Sequence, residues 1–231
     1  VLTSSDHAAA SLRRGLARAW GCEVHDHWGM TETGYGGAVE CTAHAGRHVR
    51  EADLLVEVVD PASGAPRPFG ECGEVVITTL GRRALPLLRY RTGDRGRLID
   101  APCACGSRLL RLDGLDGRLD GAITLGDGTA LTLARLDEIL FAVDAVCDFG
   151  ATLIDEGRRA TLRLAVVTPE RLRRPAVADD VRGAVAADPA LGPAVRSGRL
   201  RLEVDLDEGA SRSRIGKRRN IREVVPCAAS I

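Results

Sequence analysis

The order of apolar and polar residues divides the chain into two stretches with different rhythms. In the first, Leu12, Leu16 and Trp20 recur at helical spacing, and Gly21 follows where such a helix would end. A polar residue among positions 4–6 is expected to cap this helix. Apolar segments before and after it predict strands, so the chain is expected to open on a βαβ-like unit.

Short segments separated by turns fill the middle of the chain. Strands are predicted in "DLLVEVVD", "EVVITTL", "LPLLRYRTGDRGRLI" and "LLRL", with the long turn "PASGAPRPFGECG" between the first two. This all-β stretch is expected to form a small barrel or a folded sheet.

From Gly121 onward hairpins alternate with helices. The hairpin "AITLGDGTALTL" precedes the amphipathic helix "ARLDEILFAV", and a second hairpin turns at 155–157. A helix over roughly 169–187, the strand "RLRLEVDLD" and the loop "GASRSRIGKRRN" follow. The pattern predicts an α/β portion with a β-rich subdomain over residues 1–120 and a small α+β domain over residues 121–231.

Composition narrows the functional classes. The 231 residues are 45% hydrophobic and 28% charged, which is typical of globular protein. The 32 basic and 32 acidic residues balance, so nucleic acid and anionic membranes are not expected partners. No apolar run reaches the ~18 residues of a membrane span, and no signal peptide is recognised. Seven cysteines, an odd number, predict a reducing, cytoplasmic setting.

One basic residue differs from all the others. The 32 basic residues comprise 31 arginines and a single lysine, Lys217, in the loop "SRSRIGKRR". Lysine presents a compact charge on a slim stem, whereas arginine presents a broad planar fork. The lone lysine indicates either chance or a position that a guanidinium cannot fill.

The stretch "HDHWGMTETGYGG" is the first candidate for chemistry. Its glycines let the backbone approach a ligand, Trp28 could stack on a flat heterocycle, and Glu32 could hold Mg²⁺ beside the hydroxyl of Thr31. A glycine-rich surface turn explains the same residues. Asp94, which follows Gly93, adds a carboxylate suited to two vicinal hydroxyls, as acidic residues bind nucleotide ribose.

The motifs and their order resemble the adenylate-forming superfamily of acyl-CoA ligases, most closely its phenylacetate–CoA ligase-like branch. The matching segments are "WGMTE", "ECTAHAGRHVREADLLVEVVDPASG", "GECGEVVITTLGRRALPLLRYRTGD", "CACG", "GRLDG" and "GKRRN". Any one of these segments is weak evidence for the resemblance, but six in the same order over nearly the whole chain are specific evidence.

The resemblance implies residues that bind the nucleotide. Trp28 corresponds to the aromatic residue that packs on adenine, and Gly29 lies beside it. Asp94 corresponds to the aspartate that binds the ribose hydroxyls, and Arg118 to an arginine near the ribose and phosphate. ATP and AMP are the implied nucleotides.

The resemblance also implies catalytic residues and a hinge. Thr31 corresponds to the threonine that contacts phosphate and Glu32 to the carboxylate that holds Mg²⁺. Lys217 corresponds to the lysine that bridges the attacking carboxylate and the α-phosphate, and Asp120 to the hinge of a mobile C-terminal domain. Positioned positive charge is the main need when two anions react.

Four further residues suggest a structural metal site. Cys41, His48, Cys103 and Cys105 lie on two segments that the resemblance brings together, and three thiolates with one imidazole form a closed tetrahedral zinc set. Four reduced side chains without metal are the alternative. The remaining histidines, among them His25, His27 and His44, are expected to be solvated or packed.

The expected function is that of the C-terminal part of an ATP-dependent carboxylic acid–CoA ligase. It would activate an acid, for which the resemblance suggests an aromatic one, as acyl-adenylate and pass it to CoA. The alternatives are an adenylating enzyme with a carrier-protein or amine acceptor and an inactive zinc-stabilised remnant. The identity of the acid and the oligomeric state are not predicted.

Two departures from the resembled pattern bear on activity. The upstream phosphate loop and most of the acid pocket are absent from the sequence, so a missing N-terminal half is an expected partner and the chain alone is expected to have little activity. The stretch "GAITLGDGTALTLARLDEIL", with its hairpin near Gly126, lacks the usual proline and carries Asp137-Glu138 where "Ile-Glu" is usual. Adenylation is therefore better supported than transfer to CoA.

Overall fold

The computed structural model describes residues 1–4, 7–115, 117–126, 128–157, 159–169, 176–207 and 221–224. Contacts between Cα atoms divide the chain into two compact units. The first unit comprises Val1–Ala8 and Arg13–Asp120, and the second comprises Ala9–Leu12 and Gly121–Ile231. The expected assignment of residues 1–120 and 121–231 to two functional domains stays a prediction.

The first unit is built on one eight-stranded sheet. Its strands are β1 (Leu2–Thr3), β2 (His25–Trp28), β3 (Ala38–Glu40), β4 (Arg47–Val49), β5 (Leu54–Val59), β6 (Gly73–Thr79), β7 (Tyr90–Ile99) and β8 (Arg111–Asp113). They lie in the order β1-β2-β3-β4-β8-β7-β6-β5. The β1–β2 pair is parallel and the other pairs are antiparallel. The sheet is open, so the barrel alternative is wrong.

Helix α1 (Ala10–Trp20) joins the two parallel strands, which confirms the βαβ-like opening. Gly21, at φ 60°, ends the helix as expected. The expected cap is wrong for Ser4, because the helix begins at Ala10 and the Ser4 hydroxyl pairs instead with His27 Nδ1 at 2.9 Å. The other two candidate capping positions, 5 and 6, lie outside the described residues. The apolar face is present, but Leu12 and Trp20 are exposed.

The core of the first unit lies along the central strands. Inward-facing residues of β5 alternate with exposed or half-buried ones, whereas β6 is buried along nearly its whole length. The buried cluster consists of Trp28, Ala38, Val49, Leu54, Val56, Val58, Val75, Ile77, Leu98 and Leu112. This cluster supports the strands that carry the motif residues.

The second unit combines hairpins and helices. Its elements are β9 (Ile123–Thr124), β10 (Ala130–Leu131), α2 (Leu133–Leu140), β11 (Asp148–Asp155), β12 (Ala160–Val167), α3 (Ala176–Ala187), α4 (Gly192–Arg196), β13 (Leu200–Asp207) and β14 (Arg222–Val224). The sheet order is β13-β12-β11-β14, with β11 antiparallel to β12 and both outer strands parallel to their neighbours. Both predicted hairpins are confirmed.

Two elements of the second unit were not expected from the sequence. The short helix α4 and the strand β14 have no strong pattern of their own, and β14 pairs with β11 some seventy positions earlier. Helix α3 begins at Ala176 within the expected 169–187 stretch. Among the described residues, no helix is long and apolar enough to cross a membrane. The mixed α/β and α+β class is confirmed, while mobility of the second unit stays a prediction.

Candidate nucleotide and metal sites

The motif "WGMTET" forms a tight turn at the end of β2. After Trp28 the chain enters a 3₁₀ turn, Thr31–Thr33, whose buried Thr33 hydroxyl donates to the Met30 carbonyl at 2.8 Å and accepts from the Met30 N–H at 3.0 Å. This closed loop of bonds leaves Thr31 exposed and Glu32 half-buried. The turn therefore presents a hydroxyl and a carboxylate at the end of a strand.

Glu32 is tethered through both its backbone and its side chain. Arg82 Nη1 donates to the Glu32 carbonyl at 2.7 Å, and the Tyr90 hydroxyl lies 3.4 Å from Glu32 Oε1. A partly exposed carboxylate with a neutral partner keeps lone pairs for a hard cation such as Mg²⁺, which takes one or two carboxylates and fills its remaining positions with water and phosphate oxygens. The donor chemistry fits the expected magnesium ligand.

Strand β7 brings Asp94 to Trp28. The indole Nε1–H of Trp28 donates to Asp94 Oδ2 at 2.9 Å, and the Asp94 N–H donates to the Thr92 hydroxyl at 3.0 Å. Arg118 joins them through a β-bridge with Asp94, and its Nη2 donates to the Thr92 carbonyl at 3.2 Å. Three residues expected to contact a nucleotide, separated by up to ninety positions in sequence, thus lie together.

Close packing explains two glycines of this site. Gly93, between the Thr92 and Asp94 backbones, has φ +75°, a conformation that other residues rarely adopt. A Cβ atom at Gly37 would lie 2.5 Å from Cζ3 of Trp28. The Trp28 ring is therefore packed against backbone and is only 7% exposed. In the described part of the chain the indole orients Asp94, and little of its face is open for stacking.

The four predicted zinc ligands also come together. The cysteine cluster, which we define as Cys41, His48, Cys103 and Cys105, places one ligating atom of each residue within 4.8 Å of the others. Cys41 Sγ lies 3.7 Å from Cys103 Sγ, and Cys105 Sγ lies 3.3 Å from His48 Nε2. With Zn–S near 2.3 Å and Zn–N near 2.05 Å, tetrahedral geometry requires an S···S separation of about 3.8 Å and an S···N separation of about 3.6 Å. The donor set and its spacing fit zinc.

The thiols of this cluster are electrostatically unequal. The backbone N–H of Cys105, helped by hydrogen bonds from neighbouring cluster side chains, lowers the pKa of Cys103 to about 6. Burial raises the pKa of Cys41. A cluster that already favours one thiolate is suited to a cation, because a metal ligand must be deprotonated.

A second cluster of potential ligands lies on neighbouring strands. The histidine cluster, which we define as His25, Glu40 and His44, also places one ligating atom of each residue within 4.8 Å of the others. The expectation that His25 and His44 are merely packed or solvated missed this grouping. Only the pairing of β2 with β3 could have indicated it, since that pairing brings His25 towards the end of β3.

Two of the expected site residues, Lys217 and Asp120, have no side-chain contacts described in the structure. Lys217 lies outside the described residues. Asp120 lies in a 3₁₀ turn, Leu119–Gly121, next to the division between the two units. Their roles as bridging lysine and hinge stay predictions.

Comparison with known sequences points to one enzyme family. The chain is 34% identical over 138 residues to a phenylacetate–coenzyme A ligase of Thermus thermophilus, which is 59% of this chain and 31% of the ligase. It is 34% identical over 117 residues to the corresponding Escherichia coli ligase, which is 50% of this chain and 26% of that one. Over these residues the chain is similar to phenylacetate–coenzyme A ligases. No protein-family model matches it.

Solved structures share the fold. A 2-hydroxyisobutyryl-CoA ligase in the postadenylation state with 2-HIB-AMP has a TM-score of 0.74 at 22% identity, covering 96% of this chain and 47% of the ligase. An anthranilate CoA ligase with anthranoyl-AMP has a TM-score of 0.63 at 16% identity, covering 92% of this chain and 41% of that one. The match thus spans under a third of these curated relatives and under half of these solved structures.

Proposed function

We propose that this chain is the C-terminal part of an ATP-dependent carboxylic acid–CoA ligase, which activates an acid as acyl-adenylate and then transfers the acyl group to CoA. The observation that carries the proposal is the meeting of Trp28, Asp94 and Arg118 beside the turn of Thr31 and Glu32. The 34% identity to phenylacetate–coenzyme A ligases supports it.

The nucleotide would bind where β2 and β7 meet. Asp94 is half-buried, its carboxylate accepts from the Trp28 indole N–H, and its backbone N–H donates to the Thr92 hydroxyl. The carboxylate is thus preorganised to accept hydrogen bonds from the two ribose hydroxyls. Arg118 is exposed beside it, where a guanidinium can reach ribose or phosphate oxygens. Gly29 would let the backbone approach the nucleotide, and the remaining exposed edge of Trp28 would contact the base.

Charge stabilisation would come from two places. Glu32 would hold Mg²⁺, which when bound neutralises pyrophosphate, while the Thr31 hydroxyl contacts phosphate oxygens. Lys217 would place its ammonium between the acid carboxylate and the α-phosphate. A lysine suits this position because a compact charge fits between two reacting oxygens, which explains a single lysine among 31 arginines.

Asp120 would serve as the hinge between the two half-reactions. Rotation of the small domain about this junction would exchange the Lys217 loop for the hairpin near Gly126, which would then face the thiol of CoA. The cysteine cluster would hold a structural Zn²⁺ that ties the turn after β3 to the segment before β8. Reduced thiols of this kind suit a reducing, cytoplasmic compartment.

The decisive experiment measures acid-dependent ATP–pyrophosphate exchange by the full-length protein. A panel of aromatic and aliphatic acids is tested, and Lys217→Ala is expected to reduce exchange about 10²–10³-fold with little change in ATP binding. Asp94→Asn is expected instead to raise the KM for ATP. The matched control is Arg218→Ala, which removes a charge next to the lysine. Unchanged exchange in Lys217→Ala would refute the proposal.

The acceptor is tested separately with the same protein. Thioester formation from acyl-adenylate is measured with CoA, a carrier-protein thiol and a simple amine. CoA is expected to be used fastest, and preference for either other acceptor would retain adenylation but replace the ligase assignment. Absence of ATP and AMP binding by full-length protein would contradict both and favour an inactive remnant.

A further inference from the structure

The histidine cluster is a second meeting place of metal-binding side chains. His25 begins β2, Glu40 ends β3, and His44 lies in the turn that follows. The His25 and His44 rings stack with centroids 5.2 Å apart and an angle of 11° between their planes. Pairing of β2 with β3 thus brings two imidazoles and one carboxylate to the same point.

His25 is oriented as a metal ligand would be. Its Nε2 lies 3.2 Å from Glu23 Oε2, so Nε2 is the nitrogen that donates a proton. Its Nδ1 is buried and has no hydrogen-bond partner among the described residues. A histidine whose outer nitrogen donates to a carboxylate presents the lone pair of the other nitrogen to a metal. The orphaned Nδ1 is therefore explained if a cation binds there.

Glu40 supplies a carboxylate oxygen in a protected position. Its side chain is 7% exposed, and its carboxylate accepts from Arg13 Nη1 at 3.1 Å and from the Asp26 N–H at 2.9 Å. Arg13 Nη1 also contacts Oε1 at 3.3 Å, so the carboxylate is fixed but retains acceptor capacity. His44 Nδ1 lies 3.1 Å from Glu40 Oε2, a contact that a proton on Nδ1 bridges when no ion is bound. The same separation is close to that of neighbouring ligands on one ion.

We propose that His25, Glu40 and His44 form a second divalent transition-metal site, distinct from the cysteine cluster. Two imidazoles and one carboxylate are borderline donors suited to Zn²⁺ or Co²⁺, and three protein ligands leave a position open for water. Neighbouring ligand atoms on a tetrahedral ion lie about 3.4 Å apart. The three ligating atoms lie within 4.8 Å of one another, so side-chain shifts of roughly 1 Å would bring them to that separation. The arginine beside Glu40 opposes the cation, so this site is the weaker of the two.

The two clusters meet on one short segment. Glu40 and His44 flank Cys41, and the His44 N–H donates to the Cys41 carbonyl at 3.0 Å across the turn. A metal in the cysteine cluster would fix this turn and so arrange two of the three ligands of the second site. The inference concerns donor atoms alone and does not depend on the ligase reaction.

Titration of the full chain with Co²⁺ and Zn²⁺ tests the proposal. The first equivalent of Co²⁺ is expected to produce thiolate-to-metal absorption in the near ultraviolet, and the second to add only the weaker visible bands of a nitrogen and oxygen site. Wild type is expected to bind two equivalents of Zn²⁺, and either His25→Ala or His44→Ala is expected to bind one. In each variant the affinity for the second equivalent should be at least tenfold weaker than in wild type.

A histidine on the same strand supplies the matched control. His27→Ala removes an imidazole of β2 that lies outside both clusters, and it is expected to keep two equivalents. Cys105→Ser is expected to lose the thiolate absorption of the first site. Saturation of wild type at one equivalent, retention of two by His25→Ala and His44→Ala, or loss of the second in His27→Ala would each overturn the assignment.

Discussion

The two units are stabilised in different ways. Among the described residues, the second unit has one continuous cluster of 21 buried apolar side chains, whereas the first has ten. The first unit instead buries more polar groups: Asp26, Thr33, Glu74, Thr79, Thr92 and Arg111, against Asp137, Thr161 and Thr168 in the second. Both ligand clusters lie in the first unit.

Strand length accounts for much of this difference. Strands β11, β12 and β13 are each eight residues long and pair along their length, so they form a continuous apolar face. Strands β1, β3, β4 and β8 have only two or three residues. Short strands cover little apolar surface, and two of them, β3 and β4, take part in the ion pairs Arg13–Glu40 and Arg47–Asp26. The unit that holds both ligand clusters therefore depends more on polar contacts.

Removal of the zinc that we propose for the cysteine cluster is expected to have the largest effect, and only on the first unit. When the free zinc concentration is a thousand times the dissociation constant, binding stabilises the folded state by about 4 kcal/mol. A strong chelator would remove this stabilisation. Hydrogen exchange measured by mass spectrometry should then accelerate in β3, β4 and β8 but not in β11 and β12.

Cys105→Ser should reproduce the effect of the chelator, while Cys147→Ser, which alters an exposed thiol of the second unit, should not. Equal acceleration in both units, or none in the first, would contradict the comparison.

Truncation in the second core is expected to have the next largest effect. Leu162 on β12 is fully buried in the apolar cluster, and Leu162→Ala should lower the free energy of unfolding by about 2–5 kcal/mol through lost burial and a cavity. Leu202, directly opposite on β13, is only partly buried, so Leu202→Ala is the matched control with a smaller loss. Denaturant unfolding monitored in both variants measures the difference, and equal losses would argue against an apolar core as the main support.

The sequence predicted those elements whose pattern is local. Alternation along "DLLVEVVD" and the turn at 155–157 identified β5 and the β11–β12 hairpin, because turn chemistry and hydrophobic period are properties of adjacent residues. The order of strands in the first sheet and the pairing of β14 depend on contacts between distant segments. Those contacts have no local pattern.

The same distinction applies to the sites. The motifs that resemble the ligase family indicated Trp28, Asp94 and Arg118 as candidates. The hydrogen bond between Trp28 and Asp94 could be found only once the arrangement of strands in the sheet was known. The histidine cluster was missed because His25 and Glu40 are fifteen positions apart and meet only through strand pairing. Spacing of ligands in sequence indicates a metal site when it is short, as in "CAC", and not when the sheet supplies the proximity.

Loss of a buried ion pair in the first unit is expected to have an intermediate effect. Glu74 on β6 is 4% exposed and accepts from Arg91 Nε at 2.7 Å and from the Gly93 N–H at 3.2 Å. Its carboxylate raises the pKa of Arg91. Glu74→Gln should lower the free energy of unfolding by about 2 kcal/mol, because the charge-assisted bonds are lost while the amide still accepts one.

An exposed ion pair of the same unit gives the control for Glu74. Arg50 Nε lies 2.7 Å from Asp53 Oδ2, and the Asp53 side chain is half exposed. Asp53→Asn is expected to cost about 0.5 kcal/mol or less, since solvent screens such pairs. Similar losses in the two variants would show that burial of the charge is not what matters.

The smallest effect is expected at Asp60, in the turn after β5. Its Oδ1 accepts from the Ser63 N–H at 2.8 Å, the Ser63 hydroxyl at 2.9 Å and the Ala62 N–H at 3.0 Å, and these bonds, led by the Ser63 backbone, lower the pKa of Asp60 to about 2. A lowered carboxyl pKa stabilises the folded state above the unfolded value near 3.8, and this contribution is lost as pH falls towards 2. Asp60→Asn should therefore destabilise slightly at pH 7 and lose its effect near pH 2. Stability of the wild type and the variant measured against pH, with the Asp60 carboxyl followed by NMR, tests this, and a difference that grows on acidification would contradict it.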